Sequence, residues 1–190
     1  FFMAKKIWLY DIRQGTWNGL YIYDSECQQK FLTAIVYAEK VFFIPYRYPG
    51  IIVLDLKDDQ IEYIKLNSKN DFSLPDKLWY RKDIVRLENH LYMAHLSSDR
   101  VMHFELDKMT YDWIDTPMKC EGFSGISWDG KDFWLSPNKS SDEIYRWYGK
   151  SAYEKIPLTD GDNGKIRWIT YDGEYLVVQK ERRTIYINLS

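Results

Sequence analysis

The amino-acid sequence predicts an all-β fold, and three observations lead to that prediction. The 190 residues include 8 Trp, 16 Tyr and 9 Phe but only 10 Gly and 6 Pro, and aromatic residues favour strands. Short apolar runs repeat along the chain, with steps of 50, 41 and 43 residues between Ile35, Val85, Ile126 and Ile169. No segment with the helical period is longer than about two turns. The chain is therefore expected to form sheets along its length.

Each repeat contains short runs that are β-branched or aromatic and end at turn residues, as strands do. The first runs are residues 34–37, 84–87, 125–128 and 168–171, the second 41–44, 91–93, 133–135 and 175–178, the third 51–54, 101–104, 144–147 and 185–187, and the fourth 60–64, 110–114 and 152–156. Four antiparallel strands repeating at such steps are typical of β-propeller blades, since stacked blades bury both faces of each sheet. We expect a β-propeller of four-stranded antiparallel blades.

The repeat divides the single predicted domain, residues 1–190, into about four to five blades. Full blades are expected at residues 31–66, 79–116 and 122–158, and part-blades at 1–22 and 165–190. Tyr10-Asp11-Ile12 aligns with Leu54-Asp55-Leu56, so the first part-blade corresponds to third and fourth strands. We therefore expect an incomplete ring or part of a larger propeller. Bare blade edges would then favour self-association.

Equivalent positions of the first strands carry large side chains, three of which are flat aromatic rings. They are Tyr37, Leu87, Trp128 and Tyr171. Such side chains suit the wedge between neighbouring blades. The turns that follow two of these positions begin with Asp129-Gly130 and Asp172-Gly173. Both pairs are signals of two-residue hairpins, in which glycine adopts a positive φ.

The run from Val41 to Leu56 resembles blades of bacterial propellers related to Kelch repeats and to the central domain of galactose oxidase. Trp113 and Tyr63 resemble the fourth-strand aromatic residue of Kelch repeats. The paired glycines that follow the Kelch second strand are absent, and their places hold Pro45, Ala94-His95, Ser136-Pro137 and Val178-Gln179. The resemblance implies a propeller of binding-scaffold type. It implies no oxidase chemistry, because the copper ligands of that family have no assigned counterparts in this sequence.

Few residues suggest catalytic or metal chemistry, and no cofactor is predicted. His95 and His103 flank the loop 96–100, so a hairpin could bring them together with Asp99 as a third metal ligand. An ordinary hydrogen bond at a strand end explains His95 more simply. Cys27 and Cys120 lie in linkers, where a nucleophile is conceivable but no neighbouring group clearly activates either thiol.

Charge divides between the two predicted faces of the ring. The loops between second and third strands, residues 45–50, 95–100, 136–142 and 179–184, carry six bases and three acids. The turns between first and second strands carry six acids and two bases. With the remaining turns and linkers included, one face is near +3 and the other near -3. The positive face also carries aromatic residues in its linkers.

Basic groups beside aromatic rings suit a sugar or an anionic ligand. The sequence therefore predicts a non-catalytic binding module for a glycan, an anionic small molecule or a protein segment. The alternative for the same residues is solvated loops and ordinary packing. The candidate binding residues are Arg47, Trp79, Arg81, Arg100, Lys139, Arg167, Trp168 and Arg182.

Two other hypotheses remain open at this point: an enzyme, either a metal-assisted oxidoreductase or glycan-active, whose site needs further blades, and an assembly scaffold of partial rings. Hydrophobic residues at 45% and charged residues at 28% argue against disorder, and a net charge of -2 argues against a nucleic-acid binder. No apolar run approaches a membrane span. A cytoplasmic location is the default expectation, and a trimmed N-terminus would leave an extracellular one open.

Overall fold

A computed structural model describes residues 6–22, 30–46, 48–66, 80–140, 142–148, 151–159 and 161–189, with the backbone alone for residues 80–82. These residues form 17 strands, and none of them lies in a helix. The described part of the chain has no helix that is long and apolar enough to cross a membrane. The all-β prediction is confirmed. The chain forms two compact units, Phe1–Leu78 and Trp79–Ser190, and each is considered by itself.

The first unit contains a hairpin and a four-stranded antiparallel sheet. The hairpin consists of β1 (Lys6–Asp11) and β2 (Thr16–Tyr21), and the sheet of β3 (Phe31–Tyr37), β4 (Lys40–Pro45), β5 (Gly50–Asp55) and β6 (Ile61–Lys65), in chain order. Ile7 and Ile22 pack with Tyr48 and Ile52 in a buried core. The opposite face of the hairpin leaves large rings exposed, among them Trp17 at 66%.

The second unit contains three antiparallel sheets, each in chain order. The first sheet consists of β7 (Tyr80–Leu87), β8 (His90–His95), β9 (Arg100–Glu105) and β10 (Thr110–Asp115). The second consists of β11 (Phe123–Trp128), β12 (Phe133–Pro137), β13 (Glu143–Trp147) and β14 (Tyr153–Pro157). The third consists of β15 (Ile166–Tyr171), β16 (Tyr175–Lys180) and β17 (Thr184–Asn188).

Two apolar cores join neighbouring sheets of the second unit. Leu87 and Trp128 pack against the core between its first two sheets, which includes Phe123, Tyr145 and Trp147. Tyr171 packs against the core between the second and third sheets. The prediction that first-strand side chains fill the wedges between sheets is confirmed at these three positions. Burial of such rings supplies much of the stabilisation between sheets.

Every first strand has a register irregularity near its start. The shifts lie between Phe31 and Thr33, Tyr80 and Ile84, Phe123 and Gly125, and Ile166 and Trp168. A bulge changes the direction of the following side chains and strengthens the local twist. The sequence repeat did not reveal this feature, because an inserted strand residue does not interrupt the apolar pattern.

The two Asp-Gly turns have two-residue loops, as predicted, and glycine occupies the first position of each loop. The Asp129 amide donates to the Asp132 carbonyl and the Asp172 amide to that of Tyr175, so Gly130 and Gly173 each open a two-residue loop. Their φ angles are 99° and 105°. Each aspartate flanks the loop and accepts hydrogen bonds from the two amides that follow its glycine. Glycine at the first loop position distinguishes these turns from the Asn-Gly type.

The turn between β3 and β4 is strained, which gives a first testable prediction. Ala38 and Glu39 form its two-residue loop with φ angles of 45° and 61°. Asn tolerates this conformation better than Ala does. We expect Ala38→Asn to raise the free energy of unfolding by about 0.5–1 kcal/mol, measured by urea denaturation. Ala34→Asn, at an exposed position within β3, is the control and should bring no gain.

Candidate functional site

The first strands of the second unit line a cleft of about 400 Å³. β7, β11 and β15 each lie at the edge of their own sheet, and an edge strand presents backbone donors and acceptors. The residues that line the cleft include four with polar side chains, Asp83, Arg86, Ser127 and Thr170, and also Trp128. We call these first strands the inner strands. Sequence reasoning missed their cleft-lining residues, because inner-strand positions have the same residue types as other strand positions.

Close packing of the three inner strands fixes the shape of this cleft. The Ser127 hydroxyl oxygen accepts a hydrogen bond of 2.8 Å from the amide of Tyr171, and so joins β11 to β15. A Cβ atom on Gly125 would lie 2.5 Å from Asp83 Oδ2 and 3.0 Å from Ile169 Cγ2. Only glycine allows β11 to lie this close to both neighbours. Ile126 and Ile169 are buried beneath the cleft.

The candidate basic surface is largely neutralised by ion pairs. Arg100 Nε lies 2.7 Å from Asp115 Oδ1, and Arg167 contacts Glu181 Oε1 at 2.6 Å. Lys139 pairs with Glu121. Arg47 and Trp79 lie outside the described residues, as does the side chain of Arg81.

Two further bases on that surface differ from each other. Lys180 is buried, and its ammonium group donates to the carbonyl of Asp162. Arg182 is exposed and has no ion-pair partner in the described part of the chain. Trp168 is 37% exposed. The excess of +3 counted from the loops alone therefore overstates the free positive charge of this face.

In the second unit, loops between second and third strands contact a linker between sheets, as the predicted four-stranded blades require. The Asn138 amide donates to the Gly122 carbonyl at 2.8 Å, and the Asn138 side chain donates to the Leu96 carbonyl at 3.1 Å. A loop of the first sheet, the linker to the second sheet and a loop of the second sheet are thereby joined. Lys119 and Asp99 form a looser pair at 3.5 Å in the same region.

The metal site that His95 and His103 could form is not assembled. His103 lies opposite Tyr92, three positions from His95, and an odd offset places the two imidazoles on opposite faces of the sheet. His95 is buried, and its Nδ1 accepts a hydrogen bond from the Ser97 amide. Within the described ranges, no three His, Cys, Asp or Glu side chains are grouped so that they could hold a metal ion.

His103 instead belongs to a chain of side chains across three strands. Its Nδ1 lies 2.7 Å from Asp112 Oδ1, and its Nε2 lies 2.9 Å from His90 Nδ1. Tyr92 stacks on His103 and contacts Phe133 of the next sheet, with centroid distances of 5.0 and 4.8 Å. This row of side chains joins the polar face of one sheet to the aromatic core beside the next. The row depends on which residues lie opposite one another on neighbouring strands, so the sequence reveals it only when the strand pairing is known.

Cys120 is not an activated nucleophile. Burial raises the pKa of its thiol, and neither a backbone hydrogen bond at Gly122 nor the charge of Lys155, which both act in the opposite direction, outweighs it. A thiol with a raised pKa holds its proton at neutral pH. Cys27 lies outside the described residues.

The acidic turns of the second and third sheets surround a second cleft, of about 540 Å³. Arg146 there bonds Asp132 Oδ2 through Nε at 3.0 Å and through Nη2 at 2.9 Å, and lies over the rings of Trp134 and Tyr148. Burial raises the pKa of Asp129, but hydrogen bonds from Asp132, Trp134 and Lys131 outweigh it and hold the pKa below its ordinary value. This network has a structural role, because its positive and negative groups pair with one another.

No protein-family model and no curated protein matches the chain. Solved structures do. A catalytically inactive virginiamycin B lyase from Staphylococcus aureus with quinupristin is 14% identical, with a TM-score of 0.61 over 98% of this chain and 64% of that one. The sheets are β-propeller blades. Blades of the same kind in a nidogen/laminin complex match at 12% identity and a TM-score of 0.57, over 99% of this chain and 73% of that one.

The extracellular domain of a B. thetaiotaomicron protein is a further propeller neighbour, at 11% identity and a TM-score of 0.60 over 97% of this chain. This chain spans 64% of the lyase chain and 24% of the B. thetaiotaomicron chain. Identities this low show the fold alone. An incomplete propeller fits the described blades, and the neighbours do not distinguish Kelch-like repeats from other propeller repeats.

Proposed function

We propose that this protein is a non-catalytic β-propeller binding domain whose ligand, a neutral glycan, occupies the cleft between β7, β11 and β15. The observation that carries the proposal is the lining of that cleft, which brings together an acid, a base, two hydroxyl-bearing residues and a tryptophan. A volume of about 400 Å³ is within the range of small-molecule sites.

The chemistry of the lining favours hydroxyl-rich ligands. A sugar hydroxyl both donates and accepts, so it matches the exposed hydroxyl of Thr170 and the backbone groups of edge strands. Asp83 and Arg86 supply one charge of each sign, which gives the cleft no preference for a strongly charged ligand.

A neutral ligand is favoured over an anionic one because the candidate basic residues already have anionic neighbours. Arg100, Lys139 and Arg167 each pair with a carboxylate. An anion would have to compete with those carboxylates for the same cationic groups. A protein segment as ligand is an outcome of the experiment below.

A Kelch-like origin of the blades is a second part of the proposal. Its support is the role of the fourth-strand aromatic residues. The Tyr63 hydroxyl donates to the Pro49 carbonyl at 3.0 Å, and Trp113 packs edge-on against His95 at 5.6 Å. In both sheets a fourth-strand ring thus contacts the connection between the second and third strands.

The test is glycan binding to the purified chain and to a variant with a filled cleft. Thr170 is exposed within the lining, so Thr170→Trp should remove binding with little loss of stability. Thr110→Trp, at an exposed position of the outer strand β10, is the matched control and should bind normally. Calorimetry against a panel of neutral and acidic oligosaccharides measures the affinity.

Four results would contradict the proposal. Binding that survives Thr170→Trp and disappears in Arg182→Ala or Trp168→Ala would move the site to the basic and aromatic face. A preference for acidic over neutral glycans would reject the neutral ligand. Release of shortened or oxidised products from a bound glycan would show an enzyme, and an affinity for peptides alone would show a protein-binding module.

A further inference from the structure

Two of the three histidines of this chain meet on one face of the first sheet of the second unit. His90 lies in β8 and His103 in β9, and we call them the histidine pair. Glu105 lies directly opposite His90 in the strand ladder, and Asp112 directly opposite His103. Residues that lie opposite one another, or two apart on one strand, share a face of the sheet. Two imidazoles and two carboxylates are therefore gathered on one face across three strands.

The neighbours of His103 fix the orientation of its ring and the position of its proton. Asp112 Oδ1 lies 2.7 Å from Nδ1 of His103. A carboxylate only accepts hydrogen bonds, so Nδ1 donates, and Nε2 keeps a lone pair in the neutral ring. The Tyr92 ring stacks on the imidazole with 5.0 Å between the centroids. Histidine ligands of metal ions usually donate their other ring N–H group to a carboxylate or a carbonyl in the same way.

The distance between the facing nitrogens of the histidine pair matches two adjacent corners of a square-planar metal site. Nitrogens that bind one ion at about 2.05 Å, with a right angle between the two bonds, lie about 2.9 Å apart. His90 Nδ1 and His103 Nε2 are 2.9 Å apart. A turn of the two rings would direct both lone pairs to one point beside the line that joins these nitrogens. Square-planar or tetragonal ligation by nitrogen and oxygen is the geometry that Cu²⁺ and Ni²⁺ prefer.

Solvent can reach the histidine pair and complete the coordination of an ion. The side chain of His103 is 21% exposed and that of Asp112 66%, and His90 is half-buried. The carboxylates of Asp112 and Glu105 place negative charge beside the pair, and Glu105 shares its charge with Lys108 at 3.0 Å. Structural sites usually take four protein ligands. Two ligands with open positions therefore suit an exchangeable ion better than a permanently held one.

We propose that the histidine pair binds one divalent transition-metal ion through His90 Nδ1 and His103 Nε2. Asp112 is a positioning residue, because its hydrogen bond orients the ring of His103, and water occupies the remaining coordination positions. Cu²⁺ binds most tightly, since nitrogen ligands favour it over Ni²⁺ and Zn²⁺.

Binding of the ion rearranges one proton. Because His103 Nε2 accepts a hydrogen bond in the neutral pair, the shared proton is on His90 Nδ1. It moves to His90 Nε2 when Nδ1 binds the ion. The site is separate from the inner-strand cleft and does not depend on a glycan ligand.

The first test titrates the whole chain, prepared without a histidine tag, with the chlorides of Cu²⁺, Ni²⁺ and Zn²⁺ in a non-chelating buffer at neutral pH. Calorimetry should show one Cu²⁺ per chain with a Kd below about 10 μM, and an affinity for Zn²⁺ that is at least about tenfold weaker. The electron paramagnetic resonance spectrum of the Cu²⁺ form should show coupling to two imidazole nitrogens. That spectrum distinguishes the histidine pair from a site made of carboxylates alone.

Variants of the pair and of Asp112 separate the ligands from the positioning residue. His90→Gln and His103→Gln each remove one ligand, so each should weaken Cu²⁺ binding at least about tenfold. Asp112→Ala should weaken it about tenfold, whereas Asp112→Asn should retain most of the affinity, because its amide oxygen can still accept from His103 Nδ1. Glu154→Ala removes an exposed acid at the equivalent place of the second sheet, opposite Arg146. It is the matched control and should bind Cu²⁺ normally.

Three outcomes would overturn the proposal. These are a Cu²⁺ affinity weaker than about 1 mM, an affinity unchanged in both histidine variants, and a spectrum without coupling to imidazole nitrogen. Equal affinities of Asp112→Ala and Asp112→Asn would reject the positioning role of Asp112. Circular dichroism of the metal-free variants checks that each one folds. Because Asp112 is exposed, its two variants test the site even where a histidine variant fails to fold.

Discussion

Replacing Gly122 with Ala is expected to lower the free energy of unfolding by at least about 3 kcal/mol. Gly122 has a φ of 121°, and a Cβ atom there would overlap the carbonyl group of Leu96 and lie 2.7 Å from the amide nitrogen of Ser97. Both neighbours are backbone, so no side-chain rotation can relieve the overlap. The loop after β8 would have to move away, and the hydrogen bonds of Asn138 to Leu96 and Gly122 would break with it.

Gly130→Ala is the matched control for this prediction. Gly130 also has a positive φ, 99°, but no atom would lie within 4 Å of an added Cβ. Its cost should be limited to backbone strain, about 1–2 kcal/mol. Thermal unfolding should show a melting temperature lower by about 6–12 °C for Gly122→Ala and by roughly half of that or less for Gly130→Ala. Equal losses in the two variants would show that the contact with Leu96 contributes nothing.

The strands of this protein can be predicted from its sequence because each sheet repeats the same pattern of short apolar runs. Apolar runs such as Val101–Phe104 and Ile144–Trp147 form β9 and β13, since β-branched and aromatic residues fit a pleated surface that is buried on both sides. The wedge-filling role of Leu87 and Trp128 follows from the same repetition. Because stacking buries both faces of each sheet, the repeat also predicts stacked sheets. The buried cores between the sheets of the second unit confirm this prediction.

The candidate site was less readable, because it depends on contacts between separate loops. Arg167 and Glu181 lie 14 positions apart and meet only when β15 pairs with β16. A count of charges along each loop cannot anticipate that pairing. Lys180 was counted as a loop base, yet it lies at the end of β16 and is buried. The inner-strand cleft was missed for a related reason, since Ser127 and Thr170 look like any other strand residues until three first strands converge.

Stability should fall by about 3 kcal/mol as the pH is lowered from about 6.5 to 4, and His95 is the expected cause. The imidazole is 3% exposed at the end of β8. Burial first, and the charge of Arg100 second, lower its pKa from 6.5 to about 4. Between these two values the unfolded chain binds a proton that the folded chain does not. The free energy of unfolding therefore decreases as the pH falls through this window, and is independent of His95 above it.

Urea denaturation at several pH values checks this prediction against His95→Gln. The Gln amide oxygen can accept the hydrogen bond that the Ser97 amide gives to His95, but Gln does not titrate. The variant should lose most of the pH dependence between about 6.5 and 4. Asp172 acts in a lower window, because hydrogen bonds from the Tyr175 and Glu174 amides hold its pKa below 3.8. An unchanged slope in His95→Gln would show that another group carries the effect.

Hydrogen exchange gives a second, local readout of the same protonation. A proton on Nδ1 of His95 removes the acceptor of the Ser97 amide, which lies in the loop that Gly122 and Asn138 hold through Leu96. Exchange of the Ser97 amide should therefore accelerate as the pH falls toward about 4, relative to amides of β12 and β13 measured in the same sample. Acceleration that is uniform over the second unit would instead indicate global unfolding, and would exclude a local opening at His95.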